Sequence, residues 1–156
     1  MTAYVGIDPG QKGGIALVTH NGVLADAIPM PVADKEISGA LLTQILETYR
    51  SDINDRLVVV IEKVHSMPGQ GVSSTFAFGK GYGICIGVTQ ALGIALHQVT
   101  PQKWKRTFTL IGKDKDASRH QATELWPSMA VHWKFKYQNG VSDAALIAEH
   151  ARRVNL

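Results

Sequence analysis

The order of strand-like and helix-like patterns constrains the fold of this chain most strongly. Three strand-like runs separated by turn-forming PG, GG and NG pairs occupy residues 4–8, 14–20 and 23–29. Apolar residues at helical spacing follow over 37–49, and then a short β-branched run at 57–61, typical of a strand covered on both faces. The sequence therefore predicts an antiparallel meander that continues into α/β crossovers.

The second half of the chain predicts several helices and one more strand. A Gly-, Ser- and Pro-rich loop over 66–74 leads into a long apolar segment, residues 76–96. This segment is either one helix, with Gly79, Gly83 and Gly87 in a single stripe, or two pieces with a break near Gly81. The remaining patterns are a strand at 97–100 and helices at 102–108, 118–126 and 142–154. No linker or internal repeat is visible, so we predict one domain over residues 1–156.

Composition narrows the class of protein. With 156 residues, 45% of them hydrophobic and 19% charged, the chain can build an ordinary globular core. The single Cys85 excludes an internal disulfide framework and a cysteine-based zinc site. Because no apolar run reaches membrane-helix length and the amino terminus lacks export signals, we expect a cytoplasmic protein with no membrane partner.

The positive charge is concentrated in one region. Residues 1–100 carry six Lys/Arg against eight Asp/Glu, whereas residues 101–156 carry ten against five. A local excess of this kind favours a polyanionic partner such as nucleic acid, although a solvated basic face is the more ordinary explanation when charge stands alone.

Three carboxylates occur where they could meet. Asp8 ends the first strand and Glu62 follows the 57–61 run, so both reach one edge of the sheet if these strands are neighbours. Asp143 opens the last predicted helix, with Ser142 as a possible N-cap. Each acid also has a purely structural explanation: Asp8 as a turn residue, Glu62 as the solvent-facing end of a strand, and Asp143 as an acid in the first turn of a helix. Converging carboxylates repel unless cations lie between them, which is why such clusters bind Mg²⁺ and, with two ions, cleave phosphodiesters.

Several motifs together resemble one family. They are GIDPG with a following Gly-x-Ala, IEK, MPGQGVSSTFAFGKGYG, VTPQKWKR, KDASRHQATELWP and GVSDAALIAEHARR. In this order, over residues 3–153, the set resembles the RuvC-type Holliday junction resolvases, and most of all their phage-type branch. The resemblance implies an RNase H-like α/β fold, with a mixed five-stranded sheet flanked by helices, and a homodimer. It further implies paired cleavage of four-way junction DNA with two Mg²⁺ ions per site, replaceable by Mn²⁺, and no nucleotide cofactor.

The same resemblance assigns the metal site. Asp8, Glu62 and Asp143 match the family's metal-binding acids, but its fourth acid is replaced by Asn139, through engineering or natural variation. Residues 139 and 143 are four apart, which places them on one face of a helix. Asparagine keeps the shape and a carbonyl oxygen of aspartate but not its charge. We therefore predict weak metal binding and slow or absent cleavage.

The resemblance also implies two groups of DNA contacts. The loop and the long helix supply His65, Gln70, Ser73, Ser74, Phe76 and Lys80. A basic strip supplies Lys103, Lys105, Arg106, Lys113, Lys115 and Arg119. Aromatic residues near the crossover could stack on an unpaired base, but core packing of Phe76 or Phe78 is an alternative. Trp104 and Trp126 are predicted to pack between helices, and Lys134 and Lys136 lie either on the cleaved strand or in a solvated loop.

Two other functions stay open. One is a non-cleaving protein that binds branched DNA, which Asn139 favours, and the other is an RNase H-like nuclease that acts on RNA or other branched nucleic acids. An actin-like ATPase shares the GIDPG opening but needs two such domains, and the chain has length for only one.

Overall fold

A mixed five-stranded sheet forms the centre of the protein in this computed structural model, which describes residues 1–65 and 68–156. The strands in these residues are β1 (Thr2–Asp8), β2 (Gly14–Val18), β3 (Leu24–Pro29), β4 (Val32–Ala33), β5 (Glu36–Ile37), β6 (Arg56–Glu62) and β7 (Ala95–Val99). The large sheet has the order β3-β2-β1-β6-β7, and β4 pairs only with β5. β1, β2 and β3 are antiparallel, whereas β1, β6 and β7 are parallel. The predicted meander with α/β crossovers is confirmed.

Helices cover both faces of the sheet. They are α1 (Gly39–Asp52), α2 (Val72–Ala91), α3 (Pro101–Thr107), α4 (Asp116–Leu125) and α5 (Asn139–Val154). Short 3₁₀ segments at Pro127–Trp133 and Lys136–Gln138 join α4 to α5. The flanked, mixed sheet confirms the predicted fold class.

The alternation of side chains along β1 separates two cores. Val5 and Ile7 point to the face that α1 and α2 cover, and they pack in one cluster with Leu42 and Leu46. Tyr4 points to the other face, where α3, α4 and α5 pack. Because both faces are covered, β1 and β6 are buried along nearly their whole length, as the β-branched run at 57–61 predicts.

Several predicted helix boundaries are wrong. The 37–49 helix begins at Gly39, because Ile37 belongs to the β4–β5 hairpin and the Ser38 hydroxyl accepts a hydrogen bond from the Leu41 N–H at 3.3 Å. The loop predicted over 66–74 ends sooner, since α2 begins at Val72; residues 66 and 67 lie outside the described residues. The predicted long helix also extends too far, because its last residues belong to β7.

Helix α2 is continuous, so the alternative break near Gly81 is wrong. Gly81 is buried, and a Cβ atom there would lie 2.7 Å from Ile37 Cδ1. The stripe Gly79, Gly83 and Gly87 lies on the exposed surface instead, and no neighbouring atom of the described part of the chain lies within 4 Å of an added Cβ atom. The stripe therefore does not pack against the sheet.

None of the helices described in residues 1–65 and 68–156 is long and apolar enough to cross a membrane.

Candidate metal and DNA site

Asp8 and Glu62 end neighbouring parallel strands. Ile7 pairs with Ile61 in the register of β1 and β6, so the next residue of each strand emerges at the same level of the same edge. The carboxyl groups of Asp8 and Glu62 interact electrostatically. The prediction that both acids reach one edge of the sheet is confirmed.

Helix α5 brings Asn139 and Asp143 to this edge by direct backbone contact with the sheet. A Cβ atom on Gly6 would lie 2.0 Å from the Ala144 carbonyl oxygen, and one on Gly140 would lie 2.3 Å from the Lys12 carbonyl oxygen. No side chain larger than hydrogen fits at either position, so the helix backbone lies against β1 and the chain that leads into β2. The first turns of α5 consequently lie over the end of β1.

The predicted start of this helix is wrong. Helix α5 begins at Asn139, so Asp143 lies in its second turn and Ser142 is not its N-cap. The Ser142 hydroxyl donates to the Asn139 carbonyl oxygen at 2.8 Å, inside the helix. The predicted common helical face for residues 139 and 143 is supported, because both line the same cavity.

A polar cavity of about 650 Å³ lies where the end of β1 meets the first turns of α5. Its lining includes Asp8, Asn139 and Asp143, together with the lysines Lys12, Lys105, Lys113, Lys115 and Lys136. Glu62 does not line the cavity, but its carboxylate interacts electrostatically with both Asp8 and Asp143. The structure thus brings acidic oxygens and lysines from distant parts of the chain into one site.

Burial and mutual repulsion raise the pKa values of the acids at this edge. Burial, and then the neighbouring carboxylates of Asp143 and Glu62, raise the pKa of Asp8 well above its usual range. Burial, together with the charge of Glu62, raises the pKa of Asp143 to about 6, although Ser118 donates a hydrogen bond to it. Lys105, and for Asp143 also Lys115, offset these shifts only in part.

Two buried oxygen atoms, Asn139 Oδ1 and Asp143 Oδ1, accept no hydrogen bond from the residues that the structure describes. Buried oxygens in this state are costly unless a ligand satisfies them. Oxygen donors of this kind suit a hard divalent cation such as Mg²⁺. Within residues 1–65 and 68–156, no three His, Cys, Asp or Glu side chains are close enough to form a metal cluster by themselves. The amide oxygen of Asn139 adds an uncharged oxygen donor beside Asp8 and Asp143 in this cavity.

Trp104 holds Glu62 in place. Its indole N–H donates to Glu62 Oε2 at 2.5 Å, while its ring is fully buried in the core. The sequence predicts only packing for Trp104, so this contact is missed. Its position near the start of the helix that follows β7, at the same edge of the sheet, is the signal that could have revealed it.

The predicted basic strip is divided among three places. Lys105, Lys113 and Lys115 line the acidic cavity. Lys103 and Arg106 line a separate cavity of about 300 Å³ with His97 and His150. Arg119 is largely buried, donating to Asp116 at 2.8 Å and to the Lys134 carbonyl oxygen at 2.9 Å.

The residues predicted in the loop and long helix lie beside the acidic cavity or on the exposed surface. Ser74 and Phe78 line a cavity of about 410 Å³ that shares Lys12 with the acidic one. Phe76 is 75% exposed, so it does not pack in the core. Lys80 forms an ion pair with Glu36 at 2.6 Å. The other predicted contacts, all exposed, are His65, Gln70 and Ser73.

The comparisons with known proteins bear on the fold. No family model matches the chain, and no curated protein matches its sequence. Two solved structures of RuvC from Thermus thermophilus, one of them in complex with a Holliday junction substrate, superpose on it with a TM-score of 0.68 and 14% sequence identity. The chain has the RuvC fold. The superpositions cover 99% and 98% of this chain and 96% of the RuvC chains, so the shared architecture extends over nearly the whole molecule. Nothing in them distinguishes the phage-type branch, which stays a prediction.

Proposed function

We propose that this protein is a divalent-metal-dependent endonuclease that resolves four-way DNA junctions, and that Asn139 impairs it. The observation that carries the proposal is the single cavity at the sheet edge, where Asp8, Asn139 and Asp143 converge among lysines. Acidic oxygens suit metal ions, and the surrounding lysines suit the phosphates of a bound strand. The likeness of the fold to RuvC bound to a Holliday junction substrate supports the proposal.

The residues present fit divalent cations of the Mg²⁺ or Mn²⁺ type. Asp8, Asp143 and the Asn139 carbonyl oxygen would hold them, with Glu62 oriented by the Trp104 indole. A pair of such ions would activate the attacking water and stabilise the leaving oxygen of the phosphodiester. Asn139 removes one negative charge from this donor set, and so it weakens the attraction for a doubly charged ion.

The chain's own residues would position the strand. Lys105 interacts electrostatically with Asp8, Glu62 and Asp143, so its ammonium group lies close to where a scissile phosphate would sit. Lys113 and Lys115 extend this positive surface along the cavity. Contacts of this kind fix the register of a nucleic acid without reading its sequence.

A homodimer would supply the second cut. The exposed stripe of Gly79, Gly83 and Gly87 lets another helix approach the α2 backbone closely, and none of residues 1–65 and 68–156 occupies it. A two-fold pair of protomers would present two cavities to a two-fold junction. The described helices and strands pack on one sheet, which supports a single domain over residues 1–156.

Replacing Asn139 by Asp tests the proposed function. The Asn139→Asp variant should cleave four-way junctions in Mg²⁺ faster than the protein as it stands, because the fourth negative charge strengthens metal binding. Asn54→Asp, at an exposed position outside the cavity, should give no gain. Adding Asp8→Asn to Asn139→Asp should abolish the gain. If Asn139→Asp cleaves no faster, the proposal is wrong.

A second function, the binding of branched DNA without cleavage, is favoured by Asn139 itself. The protein would then bind four-way junctions tightly while Asn139→Asp stayed inactive. Competition among four-way, three-way, duplex and RNA–DNA hybrid substrates distinguishes these functions from an RNase H-like nuclease, because only a resolvase or junction-binding protein should prefer the four-way form.

A further inference from the structure

Two exposed aromatic rings stack on each other next to the acidic cavity. The rings of Phe135 and Tyr137 are nearly parallel, with 9° between their planes and 5.6 Å between their centroids. Phe135 is 51% exposed and Tyr137 is 72% exposed, so the pair leaves much of its apolar surface in water. Neither ring belongs to the two core clusters, so core packing does not explain the pair.

The backbone that carries the pair is tied down. The Phe135 N–H donates to Gln138 Oε1 at 2.9 Å, and the Gln138 N–H donates back to the Phe135 carbonyl oxygen at 2.9 Å. Arg119 donates to the Lys134 carbonyl oxygen just before it. These bonds fix the turn directly ahead of α5, so the aromatic surface is preorganised.

The location of the pair links it to the acidic cavity. Tyr137 lines this cavity and precedes Asn139 by two residues in the chain. A group that stacks on Tyr137 would therefore sit beside the metal-binding oxygens. The pair is separate from Phe76 and Phe78 on α2, the aromatic residues that the sequence analysis places near the crossover.

The charges around the pair indicate the chemistry of its ligand. Lys134 Nζ lies 5.6 Å from the centroid of the Phe135 ring. Lys136 lies between the two aromatic residues in the chain, is 80% exposed, and has its Nζ 3.8 Å from Asp116 Oδ2. A planar apolar surface with cations at its edge suits a flat aromatic group linked to negative charge, which describes a nucleobase with its phosphate.

We propose that Phe135 and Tyr137 form a stacking platform for one base of the strand whose phosphate enters the acidic cavity. The proposal rests on the proposed function, because it takes DNA as the ligand. A base that stacks on protein must leave its neighbours in the duplex, and this is easiest at a branch point. The platform would thus favour junctions over continuous duplex at the site of cleavage.

Binding measurements in EDTA test the platform without any cleavage. Tyr137→Ala and Phe135→Ala should each weaken four-way junction binding by about 5- to 100-fold, and Tyr137→Phe should retain the affinity. Val131→Ala, at a residue that is 68% exposed on the preceding 3₁₀ segment, is the matched control and should bind normally. Unchanged thermal stability of each variant would show that the fold is intact.

A junction that lacks the stacked base completes the test. Abasic sites are placed one at a time around the crossover. At one position, the missing base should weaken binding of the starting protein as much as Tyr137→Ala weakens binding of the intact junction. At that position Tyr137→Ala should lose nothing further. A 5-iodouracil base at the same position should crosslink under ultraviolet light to Tyr137 or Phe135.

The outcomes separate the two proposals. If the protein binds four-way junctions but both alanine variants bind equally well, the platform is overturned while the proposed function stands. Crosslinks confined to other residues would overturn it as well, as would a change in self-association in the variants without a change in DNA affinity. Failure to bind any branched DNA would overturn both proposals.

Discussion

Replacing Asp143 by Asn should stabilise the metal-free protein at neutral pH. The pKa of Asp143 is raised from its usual 3.8 to about 6, chiefly by burial and then by the charge of Glu62. One pKa unit corresponds to about 1.4 kcal/mol, so holding this carboxylate ionised in the fold costs about 3 kcal/mol. An amide keeps the shape of the side chain and can still accept the Ser118 hydrogen bond without carrying that cost.

The effect depends on pH in a defined direction. Because the folded-state pKa of Asp143 lies above the unfolded one, its carboxylate lowers the free energy of unfolding least below pH 4 and most above pH 6. Its free energy of unfolding should therefore fall as the pH rises from 4 to about 7, and the Asp143→Asn variant should lose less over that window. At pH 3.5 the two proteins should differ little.

Urea denaturation in EDTA, at several pH values between 3.5 and 8, measures these differences. Asp52→Asn removes an exposed carboxylate outside the cavity and serves as the control, with an expected change below about 0.5 kcal/mol. Adding Mg²⁺ should stabilise the starting protein more than the Asp143→Asn variant, because the ion binds the folded carboxylates.

Two results would refute this reasoning. Equal stability of Asp143→Asn and the starting protein at pH 7.5 would mean that the acids are not crowded in the folded state. An Mg²⁺ effect of the same size in both proteins would mean that Asp143 does not contribute to ion binding.

Other substitutions test residues that support the fold or the site without belonging to the proposed metal donors. Trp104→Phe keeps most of the buried volume but removes the indole hydrogen bond to Glu62, so Mg²⁺ affinity, measured by titration calorimetry, should fall about 10- to 100-fold. Gly6→Ala should destabilise the protein by more than about 2 kcal/mol in urea denaturation, because the new Cβ atom would lie 2.0 Å from the Ala144 carbonyl oxygen. Glu149→Gln should lower the free energy of unfolding by about 1–3 kcal/mol at pH 7, and by less below pH 4. Burial alone would raise the pKa of Glu149, but hydrogen bonds from two arginines hold that pKa below its usual range. An unchanged denaturation midpoint for either stability variant would contradict its prediction.

The order of elements could be predicted because each pattern is local. Strand alternation, the β-branched run at 57–61 and the NG turn depend on neighbours in the sequence, and they predict the sheet correctly. Boundaries failed where tertiary contacts decide them. Helix α5 begins four residues before Asp143 because Gly140 packs against the Lys12–Gly13 backbone, which no local pattern shows.

The candidate site was accessible from the sequence only in part. The acids at strand ends share an edge because parallel neighbours end together, so Asp8 and Glu62 could be paired by topology alone. The hydrogen bond from Trp104 to Glu62 joins residues 42 positions apart and depends on the packing of α3. The separation of Lys105 from Lys103 and Arg106 likewise depends on which way each side chain points around that short helix.

The direct contact between the α5 main chain and the sheet makes the spacing of the site independent of most side chains. Where two backbones touch through Gly6 and Gly140, their separation is set by atomic radii common to every protein. Substitutions elsewhere in the interior can change the stability of the fold without changing the distances between the oxygens of the acidic cavity. Very different interiors can therefore support the same arrangement, and this chain shares its fold with RuvC structures to which it is 14% identical.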